Sequence, residues 1–343
     1  MKKICTWFAK AIIAGLLALC IMIGVCFFYY NLPVHYTNAS GATDYFWDKN
    51  FLSMSGTEGF ARTHTDENGY VNTFPDKKED INVLVMGSSH SEGFNVDSDE
   101  NFTYLLNKKL KENNDDRYAY NIAISGHTLL RCMKNFDSAL EEFEPTDYVI
   151  VETSTVVWDV EQLKQLDRGE LAGLKSNDSG IVSYLQKINI FRLIYTQISN
   201  AMDKEDSNDD DDDVRFESEE ERAEFLKEYE LYLERILRKC SETAGKHNCR
   251  VLILHSPQMA VDYYGNIIKG EVSEEEKLFE KLCEKYDIDY INMFDSYEEM
   301  YEKTNHLPQG FSNTAIGRGH VNRYGHNCIA EKLYDFLKRG DAA

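Results

Sequence analysis

The chain has 343 residues, of which 43% are hydrophobic, so it has enough apolar side chains to bury a core. Its 37 lysine and arginine residues face 59 aspartate and glutamate residues, and the formal net charge of −22 repels a phosphate backbone. These values exclude wholesale disorder and argue against a nucleic-acid-binding protein.

The first feature along the chain is an uncharged apolar segment at residues 11–30. A helix of that length spans about 30 Å, the thickness of the hydrocarbon core of a bilayer. Lys2, Lys3 and Lys10 precede it and hold the N-terminus in the cytoplasm by the positive-inside rule. Bulky aromatic residues end the segment where a cleaved signal peptide carries small residues, so an uncleaved signal anchor is favoured over a cleaved signal. Residues 1–10 are then cytoplasmic, and the rest of the chain is extracytoplasmic.

The next part of the chain divides into an irregular segment and a regular one. Residues 31–80 have no sustained hydrophobic period and are predicted to form a stalk. From there to residue 339, apolar runs of strand length alternate with helical periods, which is typical of an α/β domain with a parallel sheet covered on both faces. The predicted strands are 81–86, 118–124, 148–151, 250–255 and 289–292; the predicted helices are 101–113, 129–143, 217–244, one opening at the capping box 273–276, and 324–338.

An insertion interrupts this alternation at about residues 160–216. It contains consecutive aspartates at residues 209–213, which lack the glycine and the ligand spacing of a calcium loop, so a solvated acidic loop is favoured. The cysteines show neither a disulfide framework nor zinc spacing. Cys240 and Cys249 either pair or remain free buried thiols.

Residues suited to acyl transfer follow the ends of the predicted strands, where parallel α/β sheets bind their ligands. Ser89 lies in a strand-to-helix turn after the first strand, Gly126 follows the second strand, and His320 precedes the last helix. A serine nucleophile needs a general base, usually histidine, and backbone N–H groups aimed at the developing oxyanion. We therefore predict Ser89 as the nucleophile, His320 as the base, and the N–H groups of Ser89 and Gly126 as the oxyanion hole.

Three sequence blocks at these positions resemble the SGNH or GDSL-type hydrolases. Residues 87–93 (GSSHSEG) are similar to the family's G-D-S-x-x-x-G block, with Ser88 in place of the usual aspartate. Residues 121–126 (NIAISG) resemble the block that carries the oxyanion glycine, and residues 320–325 (HVNRYG) resemble the His-x-Asn block. The blocks occur in the family's order, and the resemblance covers about residues 81–337. It implies a three-layer, flavodoxin-like fold with a five-stranded parallel sheet, and Ser–His catalysis without a metal or organic cofactor.

The sequence departs from this family at two positions. The family's third block supplies an asparagine as a further oxyanion donor, whereas residues 152–155 contain none, and Thr155 is the predicted substitute. The family's acid lies three residues before the histidine, where this chain has Gly317. Either a Ser–His dyad operates or a distant acid orients the base, and the candidate acid is Asp295, after the fifth predicted strand.

Other interpretations of these residues are weaker. A Gly-Ser-Ser turn alone could cradle a phosphate, but the ordered blocks favour catalysis. His90, His127 and His320 lack the spacing of metal ligands, so no metal site is predicted. His326 is predicted to be a helix-facing residue rather than a second base.

Two functions follow from the resemblance and its departures. The first is a membrane-anchored, extracytoplasmic serine esterase or O-acyltransferase that acts on O-acetyl groups of cell-envelope or exported polysaccharide. Anchored D-alanylation proteins of teichoic acid synthesis are a related possibility. The alternative is a non-catalytic, degenerate envelope protein that serves as the docking partner of a membrane acyltransferase.

Overall fold

The computed structural model of the chain describes residues 2–38, 40–172, 185, 187–206 and 218–340. The predicted acidic loop at residues 209–213 lies outside these residues. Within them, one helix, α1 (Lys2–Tyr29), is long and apolar enough to cross a membrane. A signal sequence meets the same criteria, so the membrane anchor and its orientation stay predictions.

The described residues form the following elements in chain order. The strands are β1 (Tyr30–Asn31), β2 (His35–Thr37), β3 (Tyr45–Trp47), β4 (Leu52–Ser55), β5 (Ala61–His64), β6 (Val83–Met86), β7 (Ala119–Asn121), β8 (Tyr148–Thr153), β9 (Arg250–His255), β10 (Ala260–Val261), β11 (Ile267–Ile268) and β12 (Asp289–Asn292). The helices after α1 are α2 (Ser89–Glu92), α3 (Phe102–Glu112), α4 (Leu129–Lys134), α5 (Phe136–Phe143), α6 (Val160–Asp167), α7 (Asn189–Asp206), α8 (Glu219–Lys246), α9 (Glu274–Lys285), α10 (Phe294–Thr304) and α11 (Arg323–Gly340).

A five-stranded parallel sheet forms the centre of the fold, with the strand order β12–β9–β8–β6–β7. In chain order this is 2-1-3-4-5, the flavodoxin-like order, and it confirms the predicted fold class. The central strands β6 and β8 are buried along their whole length, as the apolar runs at residues 83–86 and 148–151 require in a sheet covered on both faces. The strand order reverses beside β6, so the crevice for a ligand opens where β6 and β8 end.

Alternation along each strand divides the core between two helical layers. In β6, Leu84 and Met86 pack in one cluster with side chains of α4, α5, α6, α8 and α9. Val83 and Val85 point to the opposite face, where α3, α10 and α11 cover them. The side chains of successive strand residues point to opposite faces, so one short apolar run supplies both cores.

Residues 31–80, predicted to be an irregular stalk, contain strands that pack on this domain. Strands β1, β4 and β5 form an antiparallel sheet, and β2 pairs with β3 in a hairpin. The aromatic residues of β3 pack against the core, and Tyr70 is buried within it. The aromatic side chains of this segment thus cover an edge of the domain, and the loop between β4 and β5 contacts the segment before α11.

The predicted insertion contributes two of the described helices. Helix α6 packs on α8 and buries Leu163. Helix α7 packs against the end of α1, where Tyr30 and Thr196 share a hydrogen bond of 3.1 Å. Cys240 and Cys249, which the sequence left open to pairing, are free and buried.

Candidate active site

Ser89 is the first residue of the short helix α2, directly after the turn that leaves β6. The neighbouring Ser88 is the N-cap: its Oγ accepts a hydrogen bond from the N–H of His90 and donates one to Glu152 Oε2 at 3.0 Å. Glu152, the penultimate residue of β8, is buried and also accepts a hydrogen bond from the hydroxyl of Ser91 at 3.0 Å. The Ser88 hydroxyl is therefore held at the sheet by a buried carboxylate, and Ser89 supplies the hydroxyl that meets a histidine.

The side chain of His320 connects Ser89 to a carboxylate. His320 Nε2 lies 2.9 Å from Ser89 Oγ, and His320 Nδ1 lies 2.6 Å from Glu58 Oε2. The second carboxylate oxygen of Glu58 accepts the backbone N–H of His320 at 3.0 Å. A carboxylate at Nδ1 favours the tautomer that carries its proton there, which leaves Nε2 free to accept the proton of the serine. Ser89, His320 and Glu58 are thus joined by a continuous chain of hydrogen-bonding contacts, as a serine, a histidine and an acid are in a catalytic triad.

Glu58 lies in the loop between β4 and β5, and Asn313 fixes this loop against the histidine segment. Asn313 Oδ1 accepts the N–H of Gly59 at 2.8 Å, and its amide group donates to the carbonyl of Gly56 at 3.0 Å. At Gly319, a Cβ atom would lie 2.4 Å from Glu58 Oε1, and φ is +91°. A side chain at this position would displace the carboxylate of Glu58 and would strain the backbone, whose φ favours glycine.

The His-x-Asn block holds His320 through its asparagine. Asn322 donates to the carbonyls of Leu307 and Gly310 at 2.8 and 3.0 Å, and its Oδ1 accepts the N–H of Tyr324 at 2.9 Å. The residue therefore ties the histidine segment to the preceding loop and caps α11 at the same time.

Electrostatics at the site keep the acid ionised and a neighbouring histidine neutral. Burial opposes ionisation of Glu58, but hydrogen bonds from His320 outweigh it and lower the pKa of the carboxyl below its usual value. Burial lowers the pKa of His90, whose ring centroid is 5.4 Å from that of His320. A neutral His90 adds no second positive charge beside the base when His320 takes up a proton.

The backbone N–H groups predicted for the oxyanion hole are available. Neither the N–H of Ser89 nor that of Gly126 donates a hydrogen bond to any atom within the described ranges, and Gly126 is exposed with a φ of +82°. The preceding residue, Ser125, hydrogen-bonds Glu92 of α2, the helix that begins with Ser89. The loop that carries Gly126 is thereby tied to the helix of the nucleophile.

Thr155 does not have the free donor that we expected. Its N–H donates to Thr153 Oγ1, and its hydroxyl donates to the carbonyl of Val157, both at 3.3 Å. The residues after β8 form a local turn that uses both donors of Thr155, so the threonine binds its own loop.

Asp295 is not the acid that contacts the histidine. It lies exposed in the first turn of α10, after β12, and Glu58 occupies the position at His320 Nδ1. Strand β12 is an edge strand, three spacings or about 14 Å from β6. The end of β12 is therefore too far from the turn after β6, which carries Ser89, for its carboxylate to contact His320.

Two further buried histidines have different surroundings: His326 has a hydrogen-bond partner, whereas Nε2 of His127 has none within the described residues. His326 is buried, its Nδ1 accepts the N–H of Phe102 at 3.2 Å, and burial lowers its pKa to about 3, which agrees with a helix-facing residue. His127 is buried, and its Nε2 lies 3.8 Å from Asp44 Oδ2. Burial lowers the pKa of His127 to about 4. Within the described part of the chain, no group of three histidine, cysteine or acidic residues is placed to hold a metal ion.

The residue that sequence reasoning missed is Glu58, which is 262 positions from His320. No spacing rule connects them, and a single acid in a segment without periodicity gives no local signal. One indirect sign was Gly319, directly before the histidine, because a glycine there leaves room for a carboxylate from elsewhere in the chain.

Comparisons with known proteins show that the fold of this chain is similar to that of several solved structures, although the sequence identity is low. No family model matches the chain, and no curated protein matches it. The esterase EstA from Pseudoalteromonas sp. is 15% identical, with a TM-score of 0.39, over 76% of this chain and 100% of that one. An acetyl xylan esterase is 12% identical, with a TM-score of 0.40, over 74% of this chain and 99% of that one. A GDSL-like lipase from Bacteroides thetaiotaomicron is 14% identical, with a TM-score of 0.34, over 78% of this chain and 93% of that one. The chain is thus similar to solved structures of GDSL-like lipases and esterases, the group that its three sequence blocks resemble.

Proposed function

We propose that this protein is a serine esterase or O-acyltransferase that works through an acyl-enzyme on Ser89. The observation that carries the proposal is the continuous hydrogen-bonding chain from Ser89 through His320 to Glu58. Each part has the partner that its chemistry requires: a nucleophile beside a base, and a base oriented by an ionised acid.

The reaction has two halves. Ser89 Oγ attacks the ester carbonyl carbon while its proton passes to His320 Nε2. The carbonyl oxygen becomes an oxyanion, which accepts hydrogen bonds from the N–H groups of Ser89 and Gly126. The C–O bond to the leaving alcohol then breaks, and His320 gives that alcohol its proton. In the second half, His320 deprotonates water or an acceptor hydroxyl, which attacks the acyl carbon. The bond between that carbon and Ser89 Oγ then breaks, and His320 returns its proton to Oγ. Glu58 stabilises the imidazolium in both halves.

O-acetylated, uncharged polysaccharide outside the cytoplasm is the substrate class that we propose. The net charge of −22 disfavours anionic polymers as direct ligands. The apolar helix α1, if it anchors the chain, would hold the site near the envelope. The non-catalytic alternative drew its support from the missing family acid and from the missing asparagine of the third block. The contact between Glu58 and His320 Nδ1 removes the first support, whereas Thr155 does not replace the asparagine.

Covalent labelling tests the nucleophile. We expect a fluorophosphonate probe to label the purified full-length protein, and we expect Ser89→Ala and His320→Ala to abolish labelling. Ser88→Ala is the matched control, since its hydroxyl is bonded to Glu152 and labelling should persist. Labelling that survives in Ser89→Ala would refute the assignment. Acetate release from acetylated xylan, compared with acetyl transfer to an added glycan, then separates hydrolase from transferase.

A further inference from the structure

Two residues outside the triad hold Ser125, the residue whose carbonyl forms the peptide unit with the N–H of Gly126. The carbonyl oxygen of Ser125 accepts a hydrogen bond from the hydroxyl of Tyr45 at 2.5 Å. The N–H of Ser125 donates to Glu92 Oε2 at 3.1 Å, and its hydroxyl bonds the same carboxylate oxygen. All three polar groups of the residue before Gly126 are thus fixed.

Peptide geometry passes this restraint on to the oxyanion donor. The peptide bond is planar and trans, so the carbonyl of Ser125 and the N–H of Gly126 point in opposite directions. A hydroxyl that fixes the carbonyl therefore also fixes the direction of that N–H. A hydrogen bond at the carbonyl oxygen also polarises the peptide and strengthens its N–H as a donor.

The two holding residues are themselves held. Trp47 Nε1 donates to Glu92 Oε1 at 2.5 Å, and the rings of Trp47 and Tyr45 meet edge to face at 5.2 Å. Glu92 is only 1% exposed, so water does not compete for its hydrogen bonds. Burial raises the pKa of Tyr45 far above its usual value, which keeps its hydroxyl protonated and able to donate.

We infer that Tyr45 is a positioning residue of the oxyanion hole, acting through the Ser125–Gly126 peptide, with Glu92 as the second restraint on Ser125. The inference rests on the proposed function, because it concerns the donor that stabilises the oxyanion of that reaction. Tyr45 and Glu58 both come from the segment before the α/β domain, so this segment supplies the orientation of both the base and the oxyanion donor.

Hydrolysis of p-nitrophenyl acetate by the full-length, detergent-solubilised protein tests the inference. Tyr45→Phe removes one hydroxyl and should lower kcat about 10-fold while KM stays within about twofold, because an oxyanion donor acts in the transition state. The matched control is Tyr70→Phe, which removes a buried hydroxyl bonded to Thr43 at 2.9 Å in the same segment. That variant should keep its kcat.

A second readout separates positioning from stability. A boronic acid that forms a tetrahedral adduct on the serine should bind Tyr45→Phe more weakly, by the same factor as the loss in kcat/KM. If kcat falls equally in Tyr45→Phe and Tyr70→Phe, or if boronate affinity is unchanged, the inference is overturned while the proposed function stands. If the wild-type protein shows no hydrolysis that Ser89→Ala abolishes, both are overturned.

Discussion

At the scale of single residues, Glu58 carries the sharpest prediction. A glutamine at this position could donate its amide to His320 Nδ1 and favour the tautomer whose Nε2 is protonated, which cannot accept the serine proton. We expect Glu58→Gln to lower kcat by about 10³-fold or more, as loss of the orienting acid does in other triads. The rate of p-nitrophenyl acetate hydrolysis by the variant and by the wild-type protein measures this loss of kcat.

Asp295→Asn is the matched control for this prediction. Asp295 is exposed in the first turn of α10, and the substitution should leave kcat unchanged. A variant series in which Asp295→Asn is impaired and Glu58→Gln is not would reverse the assignment of the acid.

At the scale of elements, the position of the acid depends on the loop between β4 and β5. Asn313 binds this loop through Gly59 and Gly56 and does not touch the reacting groups. Asn313→Ala should therefore let Glu58 move away from the histidine and lower kcat about 10-fold, with a stability loss of about 1 kcal/mol. Kinetics and the thermal midpoint of the same variant measure the two effects.

A second asparagine provides the control for the loop. Asn113 is exposed and donates to the carbonyl of Lys109 at the end of α3. Asn113→Ala should leave kcat unchanged. An Asn313→Ala variant as active as Asn113→Ala would show that the loop holds Glu58 without this clamp.

The sequence predicts the parts of the site that are local and misses those that are not. Ser89 and His320 lie at strand and helix ends with recognisable turns, so their positions could be predicted. Glu58 and Tyr45 belong to strands and loops too short to show a period, and only tertiary packing brings them to the site. Asp295 was proposed because it follows a strand in chain order, whereas its strand lies at the edge of the sheet.

At the scale of the whole molecule, buried histidines make stability depend on pH. Burial lowers the pKa of His127 and His255 to about 4 and that of His326 to about 3. In the unfolded chain these groups titrate near pH 6.5, so below that value the unfolded state binds more protons. Glu92 acts in the opposite direction, because burial raises its pKa to about 7. Because three histidines outnumber the one glutamate, we expect the free energy of unfolding that these four residues contribute to be highest above pH 6.5. It should decline as the pH falls towards 4.

His326 allows this expectation to be measured at one position. Its pKa values of about 6.5 unfolded and about 3 folded predict a loss of about 2 kcal/mol between pH 7.5 and pH 5 from this group alone. Urea unfolding of His326→Gln should therefore show a shallower decline over that interval than the wild-type protein, although the variant is less stable at pH 7.5 because the hydrogen bond to Phe102 is perturbed. His64→Gln, at an exposed side chain, should follow the wild-type slope. Equal slopes for His326→Gln and the wild type would mean that His326 becomes protonated in the folded state, which its burial beneath Phe102 opposes.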